Sequence, residues 1–154
     1  MTSEVKEQNI KIMVGVFQEY HDTKENAAAK LRCKFPEYAQ QAALISAAYG
    51  TLNHRPSKPA DMNDGLYQGA YKGASSSNLS AGTIFAATPD SWMDDSDASN
   101  IDRLGHRRWQ LNPNMGKTGF GYVTTDSGYR RYAAEWSFDN TGGGFDYDFV
   151  AWPA

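Results

Sequence analysis

An α+β fold, helices first and a small antiparallel sheet after them, is predicted by three features of this 154-residue sequence. In the first half apolar residues recur three and four apart, the spacing of one helix face. Beyond Pro113 the pattern changes to alternation, with aromatic and β-branched residues over Thr118 to Thr124 and Tyr132 to Phe138. Between those two runs stands Asp126-Ser-Gly128, a turn signal that joins them as a hairpin. Such an order of elements makes a layered domain whose helices pack on the sheet.

Each element has its own justification. Ile10, Met13, Val14 and Phe17 predict a helix ending in the polar run His21 to Glu25, and the alanine-rich stretch Asn26 to Leu31 predicts a short one. Pro36 suits the first turn of the next helix, where a missing N–H leaves no partner unsatisfied. From Glu37 to Tyr49 the stripe Tyr38, Ala42, Ile45, Ala48 and Tyr49 is apolar, and Gly50 ends it. Residues 55–65 read as loop and Leu66 to Tyr71 as a helical turn. Gly73 to Gly82 is small and polar, which fits a flexible linker or an internal functional loop. Thr88 or Asp90 is expected to cap a helix carrying Trp92 and Met93. Gly119 and Gly121 lie on one face of their strand, so another group should approach its backbone closely there. Thr141 to Gly144 is loop, and Tyr147 to Trp152 a last short strand.

Composition narrows the function classes. The length fits one domain over residues 1–154 with a core of its own. A content of 40% hydrophobic and 21% charged residues argues against disorder, and a net charge of −3 gives no reason to expect nucleic acid or an anionic membrane. Cys33 is the sole cysteine, so no disulfide forms within the chain and no CxxC site exists. No apolar run is long enough to span a bilayer. Residues 1–7 lack the apolar segment of a signal peptide, so the chain is expected to be cytoplasmic or a domain of an exported precursor. A monomer is expected.

Chemistry concentrates in residues 92–113, which hold four aspartates, one histidine and two adjacent arginines between Trp92 and Trp109. Ile101, Leu104, Trp109 and Leu111 give the segment an apolar side for docking. Asp102 and His106 are four apart, so on a helix they would stack and hydrogen-bond. His54 and His106 are the candidate pair for a shared pocket: two neutral imidazoles can hold a metal with positions left open to water, or serve as plain hydrogen-bonded groups. Asp95 is a candidate general base if it faces either ring. The Asp95-x-Asp97-x-Ser99 spacing starts like a calcium loop but lacks the glycine, and position twelve is His106, so capping and solvation are the better reading. Ser75 to Ser77 lack the strained turn of a serine nucleophile. Asn78 fits a clamp on loop backbone, and Arg107 and Arg108 fit pairing with nearby aspartates. The four tryptophans are core by default, and Cys33 is a packing residue.

The assembled motifs resemble the CAP superfamily, shared by cysteine-rich secretory proteins, antigen 5 and plant pathogenesis-related protein 1, and most of all its cysteine-poor bacterial branch. The resemblance rests on the alanine-rich helix leading into Leu52-Asn-His54, Ser76-Ser-Asn-Leu79 where the family often reads Gly-Glu-Asn-Leu, Trp92-Met-Asp-Asp95, Gly105-His-Arg107, Asn112-Pro113 and Gly119-Phe-Gly121. It implies an α-β-α sandwich with a cleft where two histidines and two acids meet. It also implies export, a cell-surface or extracellular ligand, and a divalent metal such as zinc on the histidine pair in some members. Carried over, His54 is the first histidine, Asp95 one acid, and Ser77 stands where the other acid would be. The second histidine is His106, or, if it belongs on the strand approach, the position is Lys117. Three functions follow as expectations. The first is a binding module whose groove involves His54, Ser77, Asn78, Asp95, Asp102, His106, Arg107 and Trp109. The second is a hydrolase, metal-assisted or not, using His54, Asp95 and His106, and the third is lipid or sterol carriage.

Overall fold

The computed structural model describes residues 34–125 and 130–142. The helices expected at 10–17 and 26–31, the turn at 126–128, the strand at 147–152, and His21, Cys33 and Trp152 lie outside these residues. In chain order the elements are α1 (Phe35–Tyr49), α2 (Asp64–Ser75), β1 (Ser77–Ala81), a 3-10 turn (Phe85–Ala87), α3 (Thr88–Asp94), α4 (Gly105–Gln110), β2 (Phe120–Thr124) and β3 (Arg131–Trp136). The fold is α+β.

Helix α1 starts with Pro36 in its first turn beside Glu37, whose charge suits the positive helix end. It stops at Gly50, which takes the left-handed conformation at φ 70°. Its buried face is Ala39, Ala42, Ala43, Ile45 and Ser46. Ala48 and Tyr49, expected on the buried stripe, are exposed. The face follows the smallest side chains because two neighbours, α2 and the sheet, press against the helix backbone.

The largest departure from expectation is residues 64–81. Asn63 caps α2, its Oδ1 accepting the Leu66 N–H at 2.9 Å, and the helix runs on to Ser75. The stretch 73–82, expected as a linker or an internal functional loop, is the end of α2 followed by β1. Its small residues mark close packing. A Cβ on Gly73 would sit 2.0 Å from the Tyr38 carbonyl oxygen, and one on Gly69 1.8 Å from Gln41 Oε1. Glycine costs a helix about 1 kcal/mol relative to alanine, and here the contact with α1 requires it. Neither Thr88 nor Asp90 caps α3: the N-cap is Ala87, and the Thr88 hydroxyl donates back to the Ile84 carbonyl at 3.0 Å.

The sheet order is β1-β3-β2, all antiparallel. The register puts Leu79, Ala134 and Gly121 in one row and Asn78, Glu135 and Phe120 in the next, so these rows face opposite sides. Leu79 and Ala134 join Ala39, Ala42 and Ala74 in the core under α1 and α2. On that side a Cβ on Gly121 would meet the Ala39 backbone at 2.3 Å, and one on Gly119 the Pro36 nitrogen at 2.4 Å. This is the close approach that the glycine pair predicts. On the other side Phe85 packs on Tyr122 and Phe120, with ring centroids 5.3 and 6.3 Å apart. Trp92 reaches the edge of β1, its Nε1–H donating to the Leu79 carbonyl at 3.2 Å. Helices therefore cover both faces. The outer edge of β2 is met by Gln40, whose amide both donates to the Tyr122 carbonyl (3.1 Å) and accepts its N–H (3.0 Å).

Candidate functional site

Two loops build the site. The first follows α1 and is exposed, yet held at several points. Arg55 N–H donates to Asn53 Oδ1 at 2.8 Å, and the hydroxyls of Tyr67 and Tyr49 donate to the carbonyls of Pro56 and Ser57, each at 3.1 Å. His54 Nδ1 lies 2.7 Å from the Ala74 carbonyl. A carbonyl only accepts, so Nδ1 carries a proton and donates it, leaving Nε2 as the nitrogen without a hydrogen-bond partner among the described residues.

The second loop joins α3 to α4. Asp95 and Leu104, at its two ends, both adopt left-handed backbone conformations with φ of 49° and 47°. For Asp this is a tolerated conformation; for Leu it costs about 1–2 kcal/mol. The turn at Asp95 drives its carboxylate inward, where the side chain is 0% exposed. Oδ1 accepts from His106 Nδ1 at 2.8 Å and from the Asn100 amide at 2.5 Å, and Oδ2 from the Arg107 N–H at 3.3 Å. Burial pushes the Asp95 carboxyl up, but these hydrogen bonds outweigh it and hold it below its ordinary value. His106 is therefore oriented as His54 is, with Nδ1 committed to a protein acceptor and Nε2 without a hydrogen-bond partner among the described residues.

The expected Asp102–His106 pair does not form. Helix α4 begins only at Gly105, so Asp102 lies in the preceding turn, exposed, and Asp95 takes the place beside the imidazole. Two residues counted as apolar anchors are also outside: Ile101 is exposed, and Trp109 is 41% exposed, its ring 4.1 Å from that of Phe138. Trp92 and Trp136 are buried. Arg107 reaches the segment before it through backbone, its guanidinium donating to the Met93 and Asp94 carbonyls.

Beneath α4 lies a buried polar row. The Asn78 amide donates to the His106 carbonyl at 3.1 Å and to Glu135 Oε2 at 3.3 Å, tying the short helix to the sheet. Glu135 is 4% exposed. Burial pushes its carboxyl up, against the hydrogen bonds of Asn78 and Gln110 and the charge of His106. Sequence reading missed this residue, although a lone acid in the otherwise apolar run Tyr132 to Trp136 is a visible signal. Ser77 precedes Asn78 and so points to the opposite face; it is buried, and its hydroxyl has no hydrogen-bond partner among the described residues.

His54 and His106 line one cavity of about 490 Å³. Arg55, Asp97, Ser99 and Asn100 share its polar wall, with Leu52 and Leu79 as its apolar part. Asp95 and Asn78 stand behind His106 as its supports. Ser77, Asp102, Arg107 and Trp109 are not in the wall, and neither is Lys117, whose N–H is held by Asp139 Oδ2 at 2.7 Å. Among the described residues no three His, Cys, Asp or Glu side chains converge as metal ligands. The two histidines of the wall are fewer than the three protein ligands of a catalytic zinc site.

Comparison with known families places a match to the CAP, cysteine-rich secretory protein, model over residues 25–138, well over half of the 154. No curated protein and no solved structure matches the chain.

Proposed function

The chain belongs to the cysteine-rich secretory protein (CAP) family, and we propose that it works as a binding module of an exported protein, with its ligand in the His54–His106 cavity. The observation that carries this reading is the state of Asp95. A hydrolase built on these residues needs Asp95 to take a proton from water, but its side chain is 0% exposed and both oxygens already accept hydrogen bonds inside the protein. What faces the cavity is a wall of hydrogen-bonding groups held in fixed orientation, which suits recognition. Lipid or sterol carriage would have Leu52 and Leu79, the aliphatic side chains of the wall among the described residues, to receive an acyl chain or ring system. No helix among the described residues is long and apolar enough to cross a membrane.

A metal-assisted reading keeps one supporting feature. An imidazole whose Nδ1 donates to a carboxylate or carbonyl presents Nε2 as zinc-binding histidines do. With no third ligand among the described residues, binding weaker than micromolar is expected.

The test is a titration of the purified chain with soluble cell-wall fragments and peptides, followed by amide NMR and by product analysis. Shifts at Asn53, Asn100 and His106 without turnover support the binding module. Turnover that disappears in His106→Ala overturns it, as does submicromolar zinc uptake that restores turnover to metal-free protein.

A further inference from the structure

We infer that the cavity takes a ligand bearing a carboxylate, and that Arg55 is the residue that binds it. The inference rests on the binding reading above and names the chemistry of its ligand. Among the described residues, two arginines of the neighbouring loop and helix are otherwise engaged: Arg103 donates to the Ser99 carbonyl, and Arg107 to the Met93 and Asp94 carbonyls. Lys58 is paired with Asp64 on the surface. Arg55 belongs to the cavity wall, and its guanidinium has no hydrogen-bond or ion-pair partner among the described residues.

An unpaired surface arginine is ordinarily just solvated. Here the backbone that carries it is not free. The Asn53 side chain holds Arg55's own N–H, and the residues on either side are held by Ala74 and Tyr67. A guanidinium delivered from a fixed backbone loses less freedom on binding, and its planar donors match a carboxylate two bonds at a time. Besides the two histidines, the other ionisable side chain on the wall among the described residues is Asp97. One of its oxygens accepts the N–H and hydroxyl of Ser99, at 2.7 and 2.5 Å, and the other remains an acceptor. A ligand that satisfies both groups carries a carboxylate with an N–H or O–H donor a few bonds away. The free end of a peptide has that pattern, and so does an acylated sugar acid. The cavity volume of about 490 Å³ admits a unit of dipeptide or monosaccharide size.

The test uses the full chain and four probes: N-acetyl-alanyl-alanine, its C-terminal amide, N-acetylmuramic acid, and N-acetylglucosamine as the latter's neutral counterpart. Amide NMR titrations give each affinity for the wild type, Arg55→Gln, Arg55→Lys and His54→Ala. At least one acid should bind tenfold or more tightly than its neutral counterpart, with shifts at Asn53, Arg55 and Asn100. Which acid does so identifies the source of the carboxylate. Arg55→Gln should abolish the discrimination and Arg55→Lys should keep part of it. The fold should persist in both, because the contacts that hold the loop do not use the guanidinium. Equal affinity for acid and neutral probes, or unchanged discrimination in Arg55→Gln, overturns the inference. If neutral probes bind as well as acids and His54→Ala abolishes both, the carboxylate assignment fails while the cavity stands as a binding site. If no probe perturbs the wall at millimolar concentration, both fail.

Discussion

Asp95 Oδ1 and His106 Nδ1 lie 2.8 Å apart although eleven positions separate the residues in the chain. The loop between them, left-handed at Asp95 and again at Leu104, returns α4 to the end of α3 and buries the carboxylate under the imidazole. One carboxylate thereby sets the tautomer of the ring and holds the first turn of its helix through the Arg107 N–H.

Replacing that carboxylate tests the arrangement. Asn tolerates the left-handed backbone, so Asp95→Asn removes the charge without straining the chain. Its amide nitrogen would face either the Arg107 N–H or the imidazole N–H. A loss of about 1.5–3 kcal/mol at pH 7 is expected by urea denaturation, the range for hydrogen bonds to a charged group. Because the folded-state value of Asp95 is lowered, its contribution is complete above the ordinary carboxylate value of about 3.9. It fades as pH falls through the lower folded value. The deficit of the variant should therefore shrink below about pH 4; a deficit unchanged at pH 2.5 would contradict the charge assignment.

Glu135 should behave in the opposite sense. Its folded-state value is raised, chiefly by burial, so folding opposes its ionisation. The penalty is absent well below its ordinary value of about 4.3. It grows as pH rises from there through the folded value. Glu135→Gln keeps an acceptor for the Asn78 amide and removes the buried charge. Thermal melts should show the variant gaining on the wild type between pH 4 and pH 7. A variant that loses ground over that range would mean that the anion is a net stabiliser there.

Gly121 reports how tightly α1 lies on the sheet. A Cβ at that position would meet Ala39 and Gln40 backbone at 2.3 Å, with no flexible side chain to give way. Gly121→Ala should cost about 3 kcal/mol, at the upper end for an overpacked core. Gly82→Ala is the control: its φ of +90° is strained for alanine, but nothing lies within 4 Å of the added carbon. A cost of about 1–2 kcal/mol is expected there. Equal costs in chemical denaturation would refute the close approach.

Much of the scaffold is legible without coordinates. Helix α1 and its stop at Gly50 follow from local spacing, as do the two strands beyond Pro113, because a side-chain period is a property of neighbours in sequence. The glycine pair Gly119 and Gly121, one just before β2 and one within it, carries even a tertiary contact, since two positions without side chains on one face leave room for close backbone approach. Residues 73–82 were illegible for the converse reason. Small polar residues suit both a loose loop and a closely packed helix end, and only the nearness of Tyr38 and the pairing with β3 separate the two.

Local pattern by itself determined the α+β class, most of the described elements and one of the stretches that line the cavity. Tertiary structure alone decided which acid serves His106, that Glu135 lies beneath its helix, and that Arg55 shares a wall with both imidazoles. Asp102 and Asp95 are alike as residues. The path of a loop with two left-handed turns buries one and leaves the other in water, and no spacing rule describes that path.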